Sequence, residues 1–149
     1  MVERLLTMKD VQIVQVDERD SSWENGGARF RVYLHGSGAT THGWTDTYDI
    51  TGADVLQVID WAQRQAGDFL TYAVALVYDD KAREQVNPGC ARGLVWLVGM
   101  DGNTNALNPE EAEILNRMLA RRGEPVGVPS TDRMPPGVLD PYHDGTASR

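Results

Sequence analysis

The apolar positions change period several times along the chain, and each change predicts an element. Residues 11–16 (VQIVQV) read as a first strand. Their apolar parity switches between Ile13 and Val14, which fits a bulge or burial on both faces. Residues 17–27 (DERDSSWENGG) are a polar turn segment holding one aromatic, Trp23. Phe30, Val32 and Leu34 then alternate with Arg29, Arg31 and Tyr33, the pattern of a half-buried strand in an antiparallel sheet with one wet face. After a Gly-rich loop at 36–43 (GSGATTHG), Trp44, Asp46, Tyr48 and Ile50 alternate with Thr45, Thr47 and Asp49 as a third strand.

The period then lengthens. Thr51 with Asp54 resembles a capping box, and Val55, Ile59, Ala62 and Ala66 follow at helical spacing, with Val58 widening the stripe and Gly67 as the stop. Gln57, Asp60, Gln63 and Arg64 fall on the outer face of this helix, and Trp61 lies off its main stripe. Residues 69–78 (FLTYAVALVY) and 93–100 (GLVWLVGM) are apolar at both parities, which predicts two central strands covered on both sides. A second helix starts at Asn108, with Pro109 in its first turn and Glu111 three residues after the cap. Its stripe is Ala112, Leu115 and Leu119, joined by Ile114 and Met118. Arg117, Arg121 and Arg122 suit the negative pole of its dipole, and Gly123 closes it.

Beyond Glu124 lie five of the seven prolines (Pro125, Pro129, Pro135, Pro136, Pro141), which excludes a helix or an inner strand. Val126, Val128, Val138, Leu139 and Tyr142 give this stretch apolar anchors, so a partly docked, extended arm is expected. The predicted fold is α+β: a largely antiparallel five-stranded sheet in the order β-β-β-α-β-β-α with two helices on one face. Residues 1–123 form the domain and 124–149 the Pro-rich C-terminal arm. Two helices on one side leave the second face of the middle strands bare, so the arm or a second subunit must cover it, and a homodimer is expected.

Length and charge narrow the function classes. A chain of 149 residues suits one domain, and no apolar run reaches the ~20 residues of a membrane span. Residues 1–10 lack the apolar stretch of a secretory signal, so the expected compartment is the cytoplasm. The net charge of −8 and pI near 4.7 leave no basic field for phosphate contacts, so neither direct nucleic-acid binding nor an anionic membrane is expected. Twelve of the fourteen basic residues are arginine, a bias of GC-rich genomes. Cys90 stands alone, which excludes an internal disulfide and a thiolate-only zinc site. No metal site and no cofactor are expected.

Alternating hairpins gather two sets of loops. One end of the sheet collects 17–27 with 79–92, bringing acidic turns beside Trp23, Arg83, Cys90 and Arg92. An exposed tryptophan in a polar loop is a good partner anchor, so Trp23, Arg83 and Arg92 are the candidate binding residues. The acidic side chains there lack the alternating spacing of a calcium loop. The other end collects 36–43 with 101–108, bringing His35, His42, Ser37, Asp101, Asn103 and Asn105 together. A histidine beside a carboxylate is what a general base needs, so His42, His35 and Asp101 are the candidate catalytic residues. The HGSG stretch is not a nucleophile elbow, since it sits in a hairpin rather than at a strand-to-helix turn.

Two stretches, YDITGADVLQVIDWAQRQAGD at 48–68 and RGLVWLVGMDGN at 92–103, resemble a family of short actinobacterial proteins with no assigned activity. The resemblance implies no activity and no site residues. The expected function is that of a small acidic binding or adaptor protein without catalysis, acting on a protein partner or a small ligand. Two alternatives stand beside it. One is a hydrolase or isomerase using the His/Asp pair, and the other is an acidic inhibitor of a nucleic-acid enzyme.

Overall fold

Four strands, three α-helices and two single-turn 3₁₀ helices (Glu18–Asp20 and Ser130–Asp132) make up the regular structure in the computed structural model, which describes residues 11–37, 43–103 and 105–135. In chain order these are β1 (Arg29–Ser37), β2 (Gly43–Thr51), α1 (Val55–Ala66), β3 (Thr71–Asp79), α2 (Lys81–Val86), β4 (Arg92–Val98) and α3 (Pro109–Ala120). The sheet order is β2-β1-β3-β4, and every neighbouring pair is antiparallel. The α+β class and antiparallel sheet therefore stand as expected, while the five strands become four among the described residues. Residues 11–16 join no sheet. Their apolar side chains lie bare, with Ile13 92% exposed. Strand propensity describes fitness for a pleated, half-buried surface, and here no neighbouring edge receives it.

Local chemistry fixes the helix starts. α1 is capped by Asp54, which accepts from the Gln57 backbone N–H at 2.8 Å, while the Gln57 side chain accepts from the Asp54 N–H at 2.9 Å. The capping box thus begins at Asp54 and not at Thr51, which ends β2. α3 begins as predicted: Asn108 accepts from the Glu111 N–H at 2.9 Å, and Pro109 takes the first turn. Glu111 reaches back to the Leu107 N–H at 2.8 Å. α2 replaces a predicted loop. It carries no apolar stripe and is nucleated by Asp80, whose side chain accepts from the Ala82 and Arg83 N–H groups.

Phe30, Val32 and Leu34 on β1 face the same side as Tyr72, Val74 and Leu76 on β3, to which they pair directly. α1 covers this side with Val58, Trp61, Ala62 and Ala66, and Val32, Val58 and Val74 are fully buried. Trp61 belongs to this core, edge-on to Tyr48 with ring centroids 5.5 Å apart, and is not set aside from it. Asp60 and Gln63 are buried too, contrary to the outer face predicted for them, and Asp60 is held by Arg64 at 2.9 Å. The other side of the sheet carries Arg29, Arg31, Tyr33 and His35 of β1 with Thr71, Ala73 and Ala75 of β3. α3 rests on one end of it, where the Met118 sulfur and the Ala73 methyl both border Gly99. The two long helices thus lie on opposite sides of the sheet, correcting the single helical face that was expected.

β3 is a central strand, buried from Thr71 to Ala75. β4 is not: it forms the rim of the sheet, with Val95 51%, Trp96 37% and Leu97 43% exposed. Its mixed apolar parity has a local cause. Val74 pairs with Val98 and Leu76 with Val95, so two steps on β3 match three on β4, and Leu97 is the extra residue of a bulge. Beyond α3, residues 124–135 of the stretch expected to form an arm are described. Gln57 donates to the Asp132 carbonyl at 2.9 Å and Met134 packs against the α1 core, so this part lies along the domain. The anchors Val138, Leu139 and Tyr142 lie outside the described residues.

Candidate functional site

Three places on this frame collect chemistry. The first is the end of the sheet under α3, where β1 hands His35 to the loop that leaves β4. His35 is only 4% exposed. Its Nε2 accepts the Gly102 backbone N–H at 3.0 Å, and Nδ1 lies 3.3 Å from the Thr45 hydroxyl. An Nε2 that accepts must be unprotonated, so in the neutral ring the proton sits on Nδ1 and points at Thr45. Asp101 is near, with Oδ1 4.0 Å from Nδ1, beyond hydrogen-bond length. Burial pushes the His35 pKa below its usual value, and the Asp101 charge opposes that shift without reversing it.

The predicted juxtaposition of His35, Asp101 and Asn103 is present, and Asn103 also donates to the Thr45 hydroxyl at 2.6 Å. The geometry makes His35 a latch: its two ring nitrogens tie β1 and β2 to the loop after β4. A general base needs a free lone pair aimed at substrate, and the Nε2 lone pair is already occupied by Gly102. Ser37 ends β1, and His42 lies outside the described residues. Beside the latch opens a cleft of about 460 Å³, bordered by His35, Phe69, Leu115, Met118, Leu119 and Arg122 among others. Phe69 and Leu119 are 86% and 50% exposed there.

The second place is the opposite end of the sheet. Arg92 lies against Asp79, Nε to Oδ1 at 2.8 Å, as cross-strand partners in the β3–β4 register. Asp49 of β2 receives both Arg29 and Arg31. The Arg31 guanidinium in particular holds the Asp49 carboxyl below the usual carboxylate range, and hydrogen bonding to Arg92 does the same for Asp79. A shallow depression of about 400 Å³ is bordered by Asp79, Lys81, Glu84, Gly89, Ala91 and Arg92. Arg92 therefore borders a surface feature, whereas Trp23 and Arg83 do not line it. Trp23 stands 74% exposed in its loop, and Arg83 extends from α2 with Asp80 at 3.7 Å. Cys90 is exposed. No group of three or more metal-ligating side chains occurs among the described residues.

The third place carries no motif in the sequence. The outer rim of β4 bears a short run of apolar side chains, and its outward backbone groups have no strand beside them among the described residues. On the inner side, Trp96 meets Tyr33 with ring centroids 5.0 Å apart, and Tyr33 stacks toward His35 at 6.0 Å. The only sequence signal for the rim was the pair of apolar parities in 93–98, which a central strand would share. No described helix is long and apolar enough to cross a membrane. No family model, curated protein or solved structure matches the chain.

Proposed function

We propose that this chain is a small acidic cytoplasmic binding or adaptor protein without catalytic activity, acting through protein–protein contacts and able to form a homodimer. The observation that carries this reading is the β4 rim, an open sheet edge flanked by Val95, Trp96 and Leu97 at 51%, 37% and 43% exposure. Soluble proteins blunt such edges with charge, proline or cover, because unpaired backbone beside apolar side chains templates further pairing. Here the bulge at Leu97 is the only such device along residues 93–98, and the sole charge is Arg92 at the strand's start. Trp23, Arg83 and Arg92 supply polar and aromatic anchors around such a contact. The acidic balance keeps nucleic acid away, and Asp17, Asp49 and Asp79 are each neutralised by an arginine instead of forming a phosphate-like ladder.

The cleft beside His35 is where a small ligand would sit under the same reading. A hydrolase or isomerase working through His35, His42 and Asp101 draws less support, because the His35 ring is committed to Gly102 and Thr45. The test is affinity capture from cell extract with the full chain, a Leu97→Lys variant and a Thr47→Lys control on β2, all shown to keep the native melting transition. Proteins held by the wild type and the control and released by Leu97→Lys are expected. An identical set on all three overturns the reading. Trp23→Ala is expected to weaken the same captures.

A further inference from the structure

Among the described residues lie a segment with strand chemistry but no sheet and a sheet edge with no strand beside it. Residues 11–16 carry four β-branched apolar side chains, Val11, Ile13, Val14 and Val16, at 77, 92, 75 and 69% exposure. Among the described residues no strand lies beside them, yet four β-branched residues in six and the absence of Gly or Pro suit them to a ladder. β4 offers the complementary feature, an open edge with Val95, Trp96 and Leu97 partly bare. We propose that residues 11–16 of a second copy of this chain add to β4 as a fifth, antiparallel strand, and that the exchange is reciprocal. This rests on the reading of the β4 rim as a protein-binding edge and specifies its occupant.

Charge sets the direction. β4 opens with Arg92 and is uncharged from there to Val98, while residues 11–16 are uncharged and run into Asp17 and Glu18. Antiparallel pairing places Asp17 opposite Arg92, Val16 opposite Gly93, Val14 opposite Val95 and Ile13 opposite Trp96. Parallel pairing would carry the two carboxylates to the uncharged end of the strand. Asp17 and Arg92 are now held by Arg19 and Asp79 in exposed pairs, which add little and exchange readily. The register runs regularly to Trp96 and meets the Leu97 bulge at its end, so a charge at Leu97 sits directly against the end of the added strand.

Size argues for reciprocity. A single added strand is smaller than the roughly 1,200 Å² at which specific interfaces begin, and exchange in both directions doubles the contact. Residues 17–28 connect the segment to β1 and reach at most about 40 Å when extended, enough to cross to a partner's edge. The polar composition of that connector, with Gly26 and Gly27 before β1, suits a hinge. In a single chain the segment stays off its own β4 edge, which leaves both halves of the complement free for the second copy.

Sedimentation equilibrium on the full chain tests this, with Val14→Asp in the segment and Leu97→Lys on β4. Both positions are exposed, so neither substitution disturbs the core. A dimer of twice 16.5 kDa is expected for the wild type, with at least tenfold weaker association, roughly, for either variant. In a Cys90→Ser background, mixing a Val14→Cys chain with a Val95→Cys chain is expected to yield a disulfide-linked heterodimer. A monomeric wild type at 100 µM (a concentration on the order of 10⁻⁴ M, where even weak self-association shows) overturns the proposal. So does a chain carrying both Val14→Cys and Val95→Cys that closes its own disulfide as a monomer. Association lost with Leu97→Lys but untouched by Val14→Asp overturns the exchange while sparing the β4 reading, and association indifferent to both overturns the two together.

Discussion

Replacing His35 by leucine tests the latch most directly, because the structure assigns the ring two hydrogen bonds and an unusual titration. Leucine fills a similar volume at a site 4% exposed and removes both bonds. The Gly102 N–H is then left without its acceptor in a half-buried loop. A fully buried orphan costs about 1–3 kcal/mol, and partial access to water keeps the loss near the lower end, so about 1 kcal/mol is expected at pH 8. The pH dependence carries more information. The folded His35 pKa is depressed by burial from 6.5, so the neutral ring's contribution is complete above that value and is lost as pH falls toward the folded pKa. One proton taken up only by the unfolded chain costs the native state up to about 1.4 kcal/mol between pH 7.5 and 5.5. Urea unfolding followed by tryptophan fluorescence at pH 7.5, 6.5 and 5.5 measures this. The wild-type midpoint should fall across the series and that of His35→Leu should stay flat, so the two converge at pH 5.5. Asp101→Asn should steepen the wild-type fall, since it removes the charge that favours the protonated ring. A wild-type midpoint indifferent to pH over this range, or a leucine variant that falls in parallel, would refute the latch.

Gly102→Ala attacks the same latch from the other side. A Cβ there meets the His35 ring at 2.6 Å, so the loop or the ring must shift, and a loss of about 1–3 kcal/mol is expected in the same urea series, with the pH dependence of the wild type weakened. Trp61→Ala should cost about 3–5 kcal/mol, because the indole is 4% exposed within the α1 core and edge-on to Tyr48. A stability loss below 1 kcal/mol (about a fivefold change in the unfolding constant) would place Trp61 outside the core after all.

Legibility followed the range over which each signal acts. The β1 and β2 alternations, the spans of the two amphipathic helices and the Asn108 cap depend on neighbours within a few residues, and each is found where the pattern puts it; within α3, however, Met118 is the buried position and Leu119 of the expected stripe is 50% exposed. The meeting of His35 with Asp101 and Asn103 was legible too, since hairpin connectivity returns those loops to one end of the sheet. The α2 helix was not, because six residues anchored by the Asp80 side chain carry no periodic stripe. Trp61, Asp60 and Gln63 were misplaced for a different reason. The stripe on α1 marks the sheet-facing side, but burial of the flanks depends on what else crosses the helix, and the segment through Asp132 and Met134 is one such neighbour.

The amino-acid order alone determined the class of fold, the period of most elements and the Asn108 cap that starts α3, because hydrogen-bond chemistry and side-chain alternation act locally. It also determined the acidic, arginine-rich surface. Which strand lies inside was decided only by the tertiary arrangement: β3 and β4 share the same apolar character, yet one is enclosed by β1 and β4 while the other has a neighbour on one side. A strand's sequence records which side chains suit a pleated surface and holds no record of how many strands will flank it. The same gap left residues 11–16 with strand chemistry and no sheet, since pairing is a property of two segments and only the folded chain shows whether the second is present.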